Sequence, residues 1–121
     1  ALIKLLKLSV VCCLLLCFSC STDDDSNRTL DVDQTVLTFQ PGVETRTFNI
    51  TASGEWSITF DGISPYYGPN MASSDWFEIS PIQGTGNGLI SITTKADSHN
   101  NSIVLYIKYG KREKTVTLNQ N

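Results

Sequence analysis

The chain has 121 residues with 12 acidic and 9 basic side chains and a net charge near −3. Without Lys4 and Lys7 the balance falls to seven basic against 12 acidic residues, which argues against nucleic acid because phosphate binding needs a basic stripe. All four cysteines (Cys12, Cys13, Cys17 and Cys20) lie within the first 20 positions, so the remainder has no disulfide and no thiol for nucleophilic or zinc-thiolate chemistry.

The chain opens with Lys4 and Lys7 and then an apolar run over 8–18. That run is too short to cross a bilayer, which takes about 20 residues, and its charged start and small closing residue are those of a secretory signal. Ser19 followed by Cys20 resembles the end of a bacterial lipoprotein signal, although Cys17 stands where leucine is usual. The resemblance implies that 1–19 are removed and that Cys20 is acylated. Two or more acyl chains hold a protein stably on a membrane where one does not. Ser21 to Asp25 resembles the acidic signal that sends lipoproteins to the outer face of the outer membrane in a gut-dwelling bacterial phylum. The expected localisation is therefore lipid-anchored at the outer membrane and exposed on the cell surface. A plain signal peptide with a polar linker is the alternative. Residues 20–29 are polar and acidic and read as a flexible tether.

From Leu30 the apolar period becomes two. Leu30 and Val32, then Leu37 and Phe39, mark a first strand interrupted near 33–35, and Pro41 and Gly42 make a turn. Phe48, Ile50 and Ala52 alternate with Thr47, Asn49 and Thr51, and Trp56, Ile58 and Phe60 alternate with Ser57 and Thr59. Residues 61–75 contain Gly62, Pro65, Gly68 and Pro69 and show no period, which predicts a long irregular loop. A short apolar segment over 76–79 ends at Ser80 and Pro81, and 84–88 form a glycine-rich turn. Ile90 and Ile92, then Ile103, Leu105 and Ile107, mark two more strands around a polar loop at 95–101. Tyr109, Gly110 and Lys111 predict a hairpin into a last strand carrying Val116 and Leu118. Seven strands without a helical period predict an all-β fold, an immunoglobulin-like antiparallel β-sandwich with Trp56 in its core.

Little in this stretch carries catalytic chemistry. His99 lies in a polar loop with Asp97 and Asn100 and reads as solvated. The glycines of 84–88 lack the lysine and helix of a phosphate loop. Asp23, Asp24 and Asp25 lack the glycine-shaped turn of a calcium loop. The expectation is no enzyme, no cofactor and no metal. Tyr66 and Tyr67 sit among glycines and prolines where no core is expected. Their rings would stack on sugars while Asn70 and Asp75 bind the hydroxyls, and Trp76 reads either as a further stacking ring or as a partly buried structural residue. The competing reading folds one tyrosine back over the open end of the sandwich.

Leu37-Thr38-Phe39, then Gly54 with Trp56 and Ile58, then 76–81 followed by Gly84, Gly86 and Gly88, and a closing Val116-Thr117-Leu118-Asn119-Gln120 together resemble the BACON domains. These are immunoglobulin-like modules of secreted and surface proteins in gut bacteria. The likeness covers 30–120. It departs from the family at Asn101 and Ser102, where an arginine is usual, and in the length of 61–75. The resemblance implies a non-catalytic glycan-binding lipoprotein, for a polysaccharide or mucin-type glycan, working beside other surface glycan-uptake proteins. Some relatives look like rigid spacers, so the alternative is a structural adaptor, with Tyr106 on the outward side of its strand as a contact.

Overall fold

The computed structural model describes residues 28–121, so the signal at 1–19, the acylation at Cys20 and most of the tether at 20–29 lie outside the described residues. Eleven strands follow one another: Leu30–Val32 (β1), Val36–Phe39 (β2), Thr45–Ala52 (β3), Glu55–Phe60 (β4), Tyr66–Gly68 (β5), Met71–Ser73 (β6), Phe77–Ser80 (β7), Gln83–Thr85 (β8), Gly88–Thr94 (β9), Asn101–Tyr109 (β10) and Arg112–Gln120 (β11). They form a six-stranded sheet in the order β1-β3-β9-β7-β6-β5 and a five-stranded sheet in the order β2-β11-β10-β4-β8. The two sheets enclose one core, an immunoglobulin-like β-sandwich.

The core is the set of inward positions that the alternation marks. Phe48, Ile50, Ile90, Ile92, Leu105, Ile107, Val116 and Leu118 are fully buried, and Trp56 is 4% exposed. Every residue of the buried cluster lies between Leu30 and Leu118, so this stretch carries a complete core of its own.

Three features depart from seven antiparallel strands. The first predicted strand is two: β1 pairs with β3 in one sheet, and β2 crosses to the other and runs parallel to β11. Asp33 holds the crossover, its carboxylate accepting from the Asn49 backbone N–H at 2.7 Å and from Asn49 Nδ2 at 2.9 Å. The stretch 61–75 is not irregular throughout but contains the β5–β6 hairpin at the edge of the larger sheet. Its two-residue turn is Pro69 and Asn70, with Asn70 at φ 51°. The glycine-rich stretch contributes β8, which pairs with β4.

Gly84 and Gly88 make room for Trp56, and Gly86, at φ 79°, makes the turn between them. A Cβ at Gly84 or at Gly88 would lie 2.7 Å from Cζ2 of the indole, while the indole N–H donates to the Gly86 carbonyl at 2.8 Å. The hairpin from β10 into β11 closes on Gly110 and Lys111, with Gly110 at φ 60° in the first central position, as a type II′ turn requires.

The strand directions define two ends. β10 runs about 27 Å at ~3.4 Å per residue, from Asn101 to Tyr109. At the Tyr109 end, Thr29 exchanges hydrogen bonds with Ser53 and Arg28 lies 5.5 Å from the centre of the Tyr109 ring, so the chain enters the sandwich here. At the Asn101 end the buried Gln120 amide donates to the carbonyls of Gln40 and Gly42 and to Ser98 Oγ, and its oxygen accepts from Asn101 Nδ2. Entry and groove, described next, are at opposite ends.

Candidate functional site

At the Asn101 end a groove of about 730 Å³ opens between the loop after β4, the β6–β7 turn and the start of β10. Pro65, Tyr66, Asp75, Trp76 and Lys95 are among its walls. The β6–β7 turn is fixed by Ser74, whose Oγ accepts from the N–H groups of Trp76 and Phe77 and whose own N–H donates to the Phe77 carbonyl. This turn sends Trp76 inward, 8% exposed and edge-on to Phe77 with ring centres 4.9 Å apart. Asp75 stays exposed, and its carboxylate has no hydrogen-bond partner among the described residues.

Lys95 crosses the groove from the end of β9. Its ammonium donates to Ser73 Oγ at 2.9 Å and to the Ser74 carbonyl at 2.6 Å. An ammonium has three donors, so one remains for a ligand.

Tyr66 and Tyr67 are both exposed, at 72% and 55%, but they do not form one platform. Successive side chains on a strand leave opposite faces. Tyr66 pairs with Ser73 on the outer face, and Tyr67 pairs with the fully buried Ala72 on the inner one. Tyr67 packs against Phe60 at 6.5 Å between ring centres, and Phe60 against Phe77 at 6.0 Å, so Tyr67 extends the core's aromatic cluster to the sheet edge. Tyr66 instead ends a cross-strand row of outward residues, Thr45, Thr93, Glu78, Ser73 and Tyr66, running over five strands.

Asn70 stands apart from this groove. Its Oδ1 accepts from the N–H groups of Ile82 and Gln83 at 3.0 Å each, which docks the hairpin turn onto the β7–β8 connection. It lines a second groove, of about 660 Å³, with Glu55, Gln83 and Lys108.

No protein-family model matches the sequence, and no curated protein matches it. Solved structures match the fold. A Bacteroides ovatus GH5 xyloglucanase, solved in complex with a XXXG heptasaccharide, superposes with a TM-score of 0.60 at 20% identity over 77% of this chain. WR4, a C. elegans MSP family member, superposes with a TM-score of 0.50 at 13% identity, covering 76% of this chain and 97% of its own. Domains 4 and 5 of the S-layer protein SbsC reach 0.45 at 21% identity, over 78% of this chain and 53% of theirs. The chain spans 19% of the length of the xyloglucanase it matches. At these identities the likeness is one of fold.

The groove thus unites Tyr66, Asp75 and Trp76 of the five sequence-predicted residues, with Trp76 as a wall rather than a stacking ring, and leaves out Tyr67 and Asn70. Sequence reasoning misses Ser73, Glu78 and Lys95, which reach Tyr66 through pairing across four strands. No local period marks that pairing. Tyr106, the other predicted contact, is half-buried and donates to Asp61 Oδ2 at 3.4 Å. The Asp61 charge raises the phenol above its ordinary pKa. Among the described residues no three His, Cys, Asp or Glu side chains come together as a metal site.

Proposed function

We propose that this chain is a surface-exposed outer-membrane lipoprotein that binds glycan, without catalysis, in the groove at the end of the sandwich opposite its chain entry. The observation that carries the reading is Tyr66. Its ring, 72% exposed, stands at the lip of a groove whose charged groups are the unpartnered Asp75 carboxylate and the Lys95 ammonium with a free donor. An exposed ring offers a flat apolar face with a polar tip, and a carboxylate and an ammonium beside it suit the hydroxyls of a sugar. The row of Ser73, Glu78, Thr93 and Thr45 lengthens the polar surface across the strands, so an extended glycan would lie over the sheet rather than along it. Entry of the chain at the far end supports an orientation with the groove turned away from an anchor at Cys20.

The test is electrophoresis of the native protein through gels containing neutral polysaccharides and mucin. Retardation by at least one glycan is expected. Migration unaffected by every glycan would remove the binding reading and leave an adaptor or spacer that docks beside other surface proteins.

A further inference from the structure

On the outer face of the six-stranded sheet the cross-strand register aligns one residue from each of five strands: Thr45 of β3, Thr93 of β9, Glu78 of β7, Ser73 of β6 and Tyr66 of β5. Neighbouring strands stand about 4.8 Å apart, so the row runs about 19 Å across the sheet. Its neighbours in sequence, Ala72, Phe77 and Thr94, are buried, which turns the row's own side chains to the outside. Each member has something to offer a sugar. Thr45 Oγ1 and Thr93 Oγ1 share one hydrogen bond of 2.8 Å and keep one hydroxyl proton between them for a ligand. The Glu78 carboxylate is exposed and has no hydrogen-bond partner among the described residues. Lys95 reaches Ser73 Oγ at 2.9 Å with one donor to spare, and the Tyr66 ring closes the row. Among the described residues no strand flanks either end, since β5 is the last strand of the sheet and β1 pairs with β3 only over 50–52, away from Thr45.

We propose that this row is the track for an internal stretch, about four sugar units long at one unit per inter-strand step, of a neutral, extended, equatorially linked polysaccharide. The inference rests on the glycan reading and names its substrate class. A step of about 4.8 Å from strand to strand is close to the advance of one pyranose in an extended chain, so successive units meet successive strands. A coiled glucan curves away from a straight row and meets only part of it. The row has no aliphatic member to hold an acyl chain, and nine acidic against seven basic side chains over 28–121 disfavour a polyanion. Open ends select no chain terminus, so the interior of a long polymer fits as well as its tip.

Gels containing hydroxyethylcellulose or glucomannan should retard the native protein, and gels containing dextran or soluble starch should not. As a competitor, cellotetraose should release the protein at a concentration about tenfold lower than cellobiose, with no further gain from cellohexaose. Glu78→Ala, and the double change Thr45→Ala with Thr93→Ala, lie on the row but outside the groove at Tyr66. Each should weaken retention about fivefold without lowering the melting temperature, whereas Thr115→Ala on the other sheet leaves retention intact. Equal release by cellobiose and cellotetraose, or full retention in either row variant, overturns the track while the glycan reading stands. Retardation by mucin, dextran or starch alone does the same. Migration unaffected by every glycan removes both.

Discussion

Replacing Gly84 by alanine isolates one contact, between the glycine-rich stretch and the core tryptophan. Gly84 has an ordinary backbone, without the positive φ of Gly86 at 79°, so alanine there brings no dihedral strain and acts only through its Cβ. That Cβ would lie 2.7, 3.1 and 3.3 Å from Cζ2, Cε2 and Cη2 of Trp56, inside the ~3.5 to 4.0 Å of a relaxed carbon contact. The ring cannot swing aside, because it is 4% exposed and held by its N–H bond to the Gly86 carbonyl. Overpacking of this kind costs about 1–3 kcal/mol. Trp56→Phe removes the outer ring atoms that the new methyl would strike, at the cost of a cavity and of a hydrogen bond worth about 1 kcal/mol. In the double variant the methyl fills space that the indole vacated. A urea-denaturation cycle is therefore expected to show Gly84→Ala destabilising by about 1–3 kcal/mol in the wild type and by under about 0.5 kcal/mol in the Trp56→Phe background, a departure from additivity that neighbours in contact show. Additive effects, or a neutral Gly84→Ala, would refute the account of why glycine stands here.

Trp56→Ala removes the whole indole and should cost about 3–5 kcal/mol in the same assay; unfolding like the wild type would place the ring outside the core. Gln120→Ala removes the donor to the Gln40 carbonyl and the acceptor of Asn101 Nδ2, while the Gly42 carbonyl keeps the Thr94 hydroxyl, and should cost about 1–3 kcal/mol, an expectation that an unchanged urea midpoint would defeat. The Asn49 donors hold the Asp33 carboxyl below its ordinary pKa, so its stabilisation is complete above that value and is lost as pH falls through the depressed one. The stability gap between wild type and Asp33→Asn should accordingly narrow below about pH 4, and a gap constant with pH would contradict this. Because residues 28–121 carry nine acidic against seven basic side chains, neutral glycans should be retained better than sulfated or uronic ones, by a margin that added salt reduces.

The core and the sandwich were legible because burial on one face imposes a period of two, and Phe48, Ile50, Trp56, Ile58, Leu105 and Ile107 all obey it. The β5–β6 hairpin was not. Three residues per strand at a sheet edge cannot display a period, and Tyr66, Tyr67 and Gly68 carry none of the aliphatic residues that mark an inner strand. The same shortness hid the division of the tyrosines. Adjacent rings read as one platform in a loop, and as two opposed faces on a strand. Asparagine serves both as a ligand-binding amide and as a turn former, so sequence alone does not separate the two at Asn70; its positive φ and its two backbone hydrogen bonds show the turn-forming use. Lys95 joins Ser73 only through the pairing of β6, β7 and β9, which no sequence-local signal carries.

Side-by-side measurement of Tyr66→Ala and Tyr67→Ala, by affinity electrophoresis on a glycan that retards the wild type, tests the central claim most directly. With the binding face on the Tyr66 side of β5, Tyr66→Ala should weaken retention about tenfold, the ~1.4 kcal/mol expected of an aromatic anchor, with little change in melting temperature. Tyr67→Ala should lower stability through its Phe60 contact and leave retention intact. Retention that survives Tyr66→Ala, or that Tyr67→Ala abolishes in a folded protein, would contradict a glycan site in this groove.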